Sequence, residues 1–352
     1  MESHELLLQW AEAQGIELRG IRPDRIPGRG IGIIATRKLK QDELLLRVPT
    51  TALRTKFTVP KEISRRLPRT ISVHGLLAAD LALDASGRSP IDTKQQRQQQ
   101  DSQQHETTQA LDEARYRYAW LLANTRTFYY VDPRTAKLPR EDRMVLQPVA
   151  DLFNHADRDG CAVAFGEDDF TIRSSGVHEP GAELSICYGN HNNDFLLAEY
   201  GFVLDGGNRS DEVCLDDVLL PRLSARQRDL LEARDFLGNY MLDRQTVCYR
   251  TEVALRLLAC PSSSSTAAWE AFVDGGDGGG ERQQEKADHM LLGLLSKHRR
   301  GVVQKRIAAL EGGCMAAVGT AAQRGLLAAR WHQIDGLFET AIQRLEERLH
   351  NR

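Results

Sequence analysis

Residues 181–202 run GAELSICYGNHNNDFLLAEYGF. Apolar and polar residues alternate from Ala182 to Ile186, the period of a half-buried strand. Tyr188 ends that strand and Gly189 follows it. Asn193 to Tyr200 reads as a short helix, and Tyr200 and Phe202 lie twelve and fourteen residues beyond Tyr188. A tyrosine at a strand end, taken alone, is most simply a packed aromatic whose hydroxyl is bonded. What surrounds this stretch decides whether it is more than that.

Three stretches upstream carry unusual chemistry. Gly28-Arg29-Gly30-Ile31 is a turn that lets backbone N–H groups approach a ligand. It is not a dinucleotide fingerprint, because Ile33 occupies the last position and a strand follows. Asn124 to Phe128 closes a helix with Arg126, a side chain suited to a carboxylate, or equally to the helix dipole. Pro148 to His155 reads PVADLFNH, placing Asp151, Asn154 and His155 in an apolar setting where polar groups need partners. An Asx turn accounts for that pattern, and so does a ligand-recognising cluster. Asp151 and His155 also have the chemistry of two metal ligands, but no third ligand stands at suitable spacing, so no metal is expected.

Working outward, residues 3–14 predict a short helix with Leu6, Leu7 and Trp10 on one face and Gly15 at its end. Two strands are expected over GRGIGIIATRKL and ELLLRVP, and a hairpin over CAVAF, GEDD and FTIRS. Helical spacing returns at 71–83 and 110–125, separated by a Gln-rich tract, 94–104, that reads as a disordered surface insertion. Beyond about residue 211 the pattern is helical. Helices are expected from Ser224 toward Gly238, over 246–259, over 283–300, around Val303, Ile307 and Leu310, and along a stripe from Leu327 through Trp331, Ile334, Phe338, Ile342 and Leu345 to Leu349. The runs at 262–265 and 275–280 read as loops. The expected class is α+β: an irregular β-rich domain over 1–210 with an inserted segment at 75–118, then an all-helical domain over 211–352.

Composition excludes several function classes. A net charge of −3 over 352 residues gives no overall attraction to nucleic acid or anionic membrane. No run reaches the length of a membrane span and the first residues lack the pattern of a secretory signal. The six cysteines are scattered, without a C-x-x-C pair, which fits reduced thiols in a cytoplasmic or nuclear protein.

In order and spacing, these stretches together resemble the SET domain, in its Rubisco large-subunit methyltransferase-like branch. The resemblance rests on Gly28-Arg29-Gly30, Ala35-Thr36-Arg37, Glu43-Leu44-Leu45 to Pro49, Thr125 to Phe128, the set Pro148, Asp151, Asn154 and His155, then Tyr188-Gly189, Asn193 and Tyr200-Gly201-Phe202. It covers about residues 5–205, and the helical half is similar in style only. The chain departs from the branch in its short, partly Gln-rich insertion, in Phe195 where glutamate is frequent, and in His191-Asn192 where Lys-Ser is common.

The resemblance implies an S-adenosylmethionine-dependent protein N-methyltransferase, with lysine as first acceptor and histidine as the alternative nitrogen; a catalytically inactive binding module is the contrasting possibility. It implies that Gly28, Arg29, Gly30, Glu43 and Leu44 border the cofactor, that Arg126 faces its carboxylate, and that Asp151, Asn154 and His155 line its amino-acid and adenine portions. Tyr188 is expected to orient the methyl group and the incoming nitrogen, with Tyr200 and Phe202 walling the acceptor channel. In such folds a threaded C-terminal segment brings 188–202 against 151–155. The expected partner is a lysine-bearing protein met by a monomer, with no nucleic acid or membrane.

Overall fold

The computed structural model describes residues 3–83, 112–132, 134–260, 266–276, 280–313 and 317–351. The Gln-rich tract at 94–104 lies outside the described residues, as do most of the expected insertion, the serines at 262–265, part of the glycine run, and Cys314. The chain divides into two compact units, Met1–Gly189 and Asn190–Arg352.

The first unit is built on two four-stranded sheets. One has the order β1–β4–β9–β8, from β1 (Glu17–Leu18), β4 (Leu44–Pro49), β8 (Ala162–Phe165) and β9 (Asp169–Arg173). The other runs β2–β3–β10–β7, from β2 (Ile21–Ile26), β3 (Gly30–Ala35), β7 (Asn154–His155) and β10 (Glu183–Ile186). Alternation does what the sequence predicts: Phe170 and Ile172 of β9, and Leu184 and Ile186 of β10, point into the core. In β4 both Leu45 and Leu46 are buried, because a register shift between Leu44 and Leu46 interrupts the alternation. The core joins Ile33, Leu39, Val48 and Phe153 to these side chains, with Leu7 and Trp10 of the Ser3–Ala13 helix packed against it.

A helical layer completes the unit. The Val73–Leu83 helix is almost wholly apolar and buried on most of its surface, and it packs against the Glu113–Arg126 helix around Leu77, Ala78, Ala119 and Ala123. Asp112 caps the latter, its carboxylate accepting from the backbone N–H groups of Ala114 and Arg115. That helix runs straight into β5 (Thr127–Tyr129), which pairs with β6 (Met144–Leu146).

The second unit is helical apart from a ribbon of β11 (Glu212–Cys214) and β12 (Met241–Asp243), which the sequence does not announce. The helix after Ser224 begins with the expected cap, closed reciprocally with Gln227, but stops at Ala233 rather than near Gly238. The sequence predicts separate helices over 283–300 and around Val303, Ile307 and Leu310; the helices Gly280–His298 and Gln304–Glu311 are instead joined by a π turn over Arg299–Val303. On the terminal Ala321–His350 helix the predicted stripe buries Ile334, Phe338 and Leu345, leaves Trp331 and Ile342 partly covered, and exposes Leu327. Trp269 fills the centre of this core, its indole N–H donating to the Val253 carbonyl.

Where the sequence places the division at 210/211, the compact units divide at Gly189/Asn190. The reason is chemical. Segment 190–211 is held by the terminal helix through Arg330, which ion-pairs with Asp194 and Asp211. No described helix is long and apolar enough to cross a membrane.

Candidate active site

The glycine turn comes first. Pro27 and Gly28 sit at the corner between β2 and β3, with Gly28 at φ 73° and the Arg29 N–H donating to the Ile26 carbonyl. Proline followed by a positive-φ glycine is the pattern of a type II turn. Gly30 is also at positive φ, and a methyl group at residue 28 or 30 would meet nothing within 4 Å, so the corner is open on that side. The third glycine, Gly32, is different: a methyl group there would stand 2.7 Å from Asn154 Nδ2. The turn therefore brings Arg29 and Asn154 close to the same strand.

Glu183 ties them together. Its carboxylate accepts from Arg29 Nη1 at 2.9 Å and from Asn154 Nδ2 at 2.7 Å. Arg29 Nη2 also donates to the His155 carbonyl at 3.1 Å. These contacts exist because β10 pairs with β3 on one side and, in parallel, with the two-residue β7 on the other, matching Ser185 with Asn154 and Ile186 with His155. Neither Gly32 nor Glu183 is among the sequence-predicted site residues. In A-E-L-S-I the alternation places Glu183 on the face away from the core, where an acidic residue needs no explanation.

Beyond the paired strands lies the His155–Tyr188 contact. The His155 ring is 2% exposed, and its Nδ1 accepts the backbone N–H of Tyr188 at 3.1 Å. That bond places the ring proton on Nε2. The Tyr188 ring packs beside it, 5.1 Å between centroids, and its hydroxyl donates to the Phe153 carbonyl at 2.6 Å. A bonded hydroxyl on a packed ring is what the residue type alone suggests. A phenol oxygen can accept as well as donate.

Arg126 and Asp151 meet at the turn just before Phe153. Arg126 Nη1 donates to the Asp151 backbone carbonyl at 2.6 Å and stands 3.8 Å from its carboxylate. Burial pushes the Asp151 carboxyl up to about 6, partly opposed by the Arg126 charge. Val149, just before this turn, has φ 70°, a strained conformation that valine seldom adopts.

The residues 153–155, 183–188 and 29–32 are thus drawn together, with Arg126 and Asp151 joined through the turn at 150–152. Glu43 and Leu44 lie in the other sheet, where the Glu43 carboxylate closes its turn on Arg37 and on the Lys40 N–H; the Arg37 bond holds it below the usual carboxylate range. Tyr200 and Phe202 belong to the second unit. There Tyr200 ends a π turn, Leu196–Tyr200, capped by Gly201 at φ 79°. Its ring stands 6.2 Å from Phe202, and burial raises its phenol above the ordinary value. Two of the three departures from the resemblance meet: His191 stacks on Phe195 at 4.3 Å, and both rings neighbour Tyr200. Among the described residues no three His, Cys, Asp or Glu side chains converge as a metal site.

Residues 30–189 match the family model of the SET domain. The chain contains a SET domain. Its matched span ends at the Tyr188-Gly189 pair; the Gly28–Arg29 corner and the aromatic residues 191–202 lie outside it. Among curated relatives, the chain is 28% identical over 189 residues to the ribosomal lysine N-methyltransferase set11 of Schizosaccharomyces pombe, covering 51% of this chain and 48% of that protein. It is 30% identical over 206 residues to the mouse SET domain-containing protein 4, covering 55% and 45%. The chain therefore spans about half the length of the curated relatives it matches. Among solved structures, the SET domain of LSMT bound to lysine and AdoHcy has a TM-score of 0.60 at 16% identity, over 98% of this chain and 92% of that one. Rubisco LSMT bound to AdoMet has a TM-score of 0.55 at 16% identity, over 99% and 94%. At that identity the likeness is one of fold, and it extends through the helical unit that follows the SET domain.

Proposed function

We propose that this chain is a protein N-methyltransferase that uses S-adenosylmethionine, with lysine as the acceptor. The observation that carries this is the Glu183 bridge between Arg29 and Asn154, next to the His155–Tyr188 contact, in a SET domain one of whose relatives is named a ribosomal lysine N-methyltransferase.

The residues fit such a cofactor. Its amino-acid end needs donors for a carboxylate and acceptors for an ammonium. Arg126 spends one N–H on Asp151 and remains more than a third exposed, with further donors in its planar fork. Asn154 gives its N–H to Glu183 and keeps a carbonyl oxygen that accepts. The Gly28–Gly30 corner offers backbone with open space beside it. When bound, the cofactor supplies an electrophilic methyl group on a sulfonium.

The protein's tasks are positional. Methyl transfer to an amine is an in-line displacement that needs alignment, exclusion of water and a neutral nitrogen. Free lysine has a pKa near 10.4, so only about 0.1% is neutral at pH 7.4. An apolar aromatic channel lowers that pKa by desolvation. Tyr200 and Phe202 suit such a wall, and the Tyr188 phenol oxygen offers a lone pair to orient the nitrogen. Asp151 stabilises nearby positive charge when ionised.

The test is incubation of the full chain with tritiated S-adenosylmethionine and a total protein extract, followed by mass-spectrometric mapping of labelled residues. Label on lysine supports the proposal. Label on histidine moves the acceptor, and cofactor binding without any label makes the chain a binding module.

A further inference from the structure

The second unit contains an arginine whose burial calls for a reason. Arg330, in the middle of the Ala321–His350 helix, is 2% exposed. Its Nε and Nη2 hold both oxygens of Asp194 at 2.8 and 3.0 Å. Its Nη1 holds both oxygens of Asp211 at 3.0 and 2.9 Å, and Nη2 reaches the Glu212 carbonyl. One turn along, Gln333 accepts from Asn193 Nδ2 at 2.8 Å and donates to the Leu204 carbonyl at 3.0 Å. Asn193, 1% exposed, accepts in turn from the Leu204 N–H and from Asn208, and donates its backbone N–H to Asp211.

These bonds share one geometry. They tie residue 193 to residue 204, and both to the terminal helix, so the segment between them is a loop closed at its base. That loop includes Phe195, the π turn, Gly201 and Phe202, and it carries Tyr200. A buried ion pair is a poor source of net stability, since apolar residues of similar volume pack at least as well. What a fully bonded buried network supplies is a fixed geometry. The clamp leaves the loop one register on the helix.

We propose that Arg330 and Gln333 are positioning residues for Tyr200 and Phe202, so that the acceptor wall is set by the terminal helix of the second unit. This rests on the proposal that the two aromatics line the acceptor channel. Arg330 replaces no catalytic group and touches no reacting atom; it acts through the loop. Phe195 sits on the same loop, and its stacking partner His191 lies just before the loop's base.

The test uses the full chain with Gln333→Met, which keeps volume and removes the bonds to Asn193 and Leu204 together with a long one from Arg330, and Gln333→Glu, which keeps the acceptor for Asn193. The first readout is amide hydrogen exchange in the free protein. Exchange should rise over 193–204 in Gln333→Met, less in Gln333→Glu, with 253–257 unchanged. The second is the ratio of mono-, di- and trimethyl product from tritiated S-adenosylmethionine and total protein extract. Gln333→Met should shift that ratio in the direction of Tyr200→Phe and lower the rate by about 10- to 100-fold, with the double variant no worse than the more severe single one. Unchanged exchange over 193–204 overturns the clamp. Raised exchange, with rate and ratio unchanged while Tyr200→Phe shifts them, overturns the positioning role. If Tyr200→Phe itself behaves as wild type, the channel assignment fails, and exchange alone then decides the clamp.

Discussion

The backbone N–H of Tyr188 donates to Nδ1 of His155 across 3.1 Å, so a buried ring 33 residues upstream fixes where the β10 chain goes as it leaves the sheet. His155→Phe keeps a ring of similar size and removes the acceptor. A buried N–H left unpaired costs about 1–3 kcal/mol. At roughly 2–4 °C per kcal/mol for a unit of this size, the expected fall in melting temperature is readily measured by calorimetry. An unchanged melting temperature would mean the bond contributes nothing.

Asp151 gives a pH signature. Its side chain is 12% exposed, and burial raises its carboxyl to about 6. A carboxyl whose folded pKa lies above its unfolded one favours the folded state at low pH, and that advantage is lost as pH rises from about 4 through about 6. At about 1.4 kcal/mol per unit, the loss amounts to roughly 3 kcal/mol. Stability of wild type relative to Asp151→Asn should therefore decline between pH 4 and pH 7. Denaturant titrations of both proteins across that range check the sign, and a flat difference rejects the shift.

Tyr188→Phe and Tyr200→Phe separate two roles. The first removes a hydroxyl bonded to the Phe153 carbonyl. If that phenol orients the nitrogen, single-turnover methylation should fall on the order of 100-fold, with cofactor affinity nearly normal. The second should change acceptor affinity or the number of methyl groups added. The reverse outcome exchanges the two assignments, and two variants that both match wild type remove the mechanism.

Glu183→Ala releases Arg29 and Asn154 from each other. The Arg29 head is 43% exposed, so the ion pair itself should contribute less than about 1 kcal/mol. Calorimetry should instead show S-adenosylmethionine binding weakened about tenfold, as for a lost supporting partner around a ligand site. Intact affinity would show that the bridge is incidental.

In the helical unit, Trp269→Ala should cost about 3–5 kcal/mol as a truncation of a buried aromatic. Trp331, on the predicted stripe, is only partly covered, and its truncation should cost less. Equal losses in a denaturant titration would contradict that ranking.

Much of this was legible in the chain. β3, β4, β9 and β10 announce themselves through apolar patterning between turn residues, and PVADLFNH signals a polar cluster by the cost of burying it. What stayed hidden has no local period. β7 has two residues, and β11 and β12 three each, too short for alternation to register. Glu183 reads as a solvent-facing strand residue until Arg29 is placed beside it. The hold of the terminal helix on segment 190–211 passes through Arg330, which meets Asp211 from 119 positions away.

The parallel pairing of β7 with β10 also constrains how the molecule comes into being. Parallel neighbours cannot be zipped from a tight hairpin, and here the site further requires Arg29 to find Glu183 across 154 residues of chain. Loop closure over such distances is slow and comes after local structure has formed. A nascent chain released before residue 186 would hold the β2–β3 corner and the helical pair yet lack the cradle, so ligand competence should arrive as the last event in the maturation of the first unit.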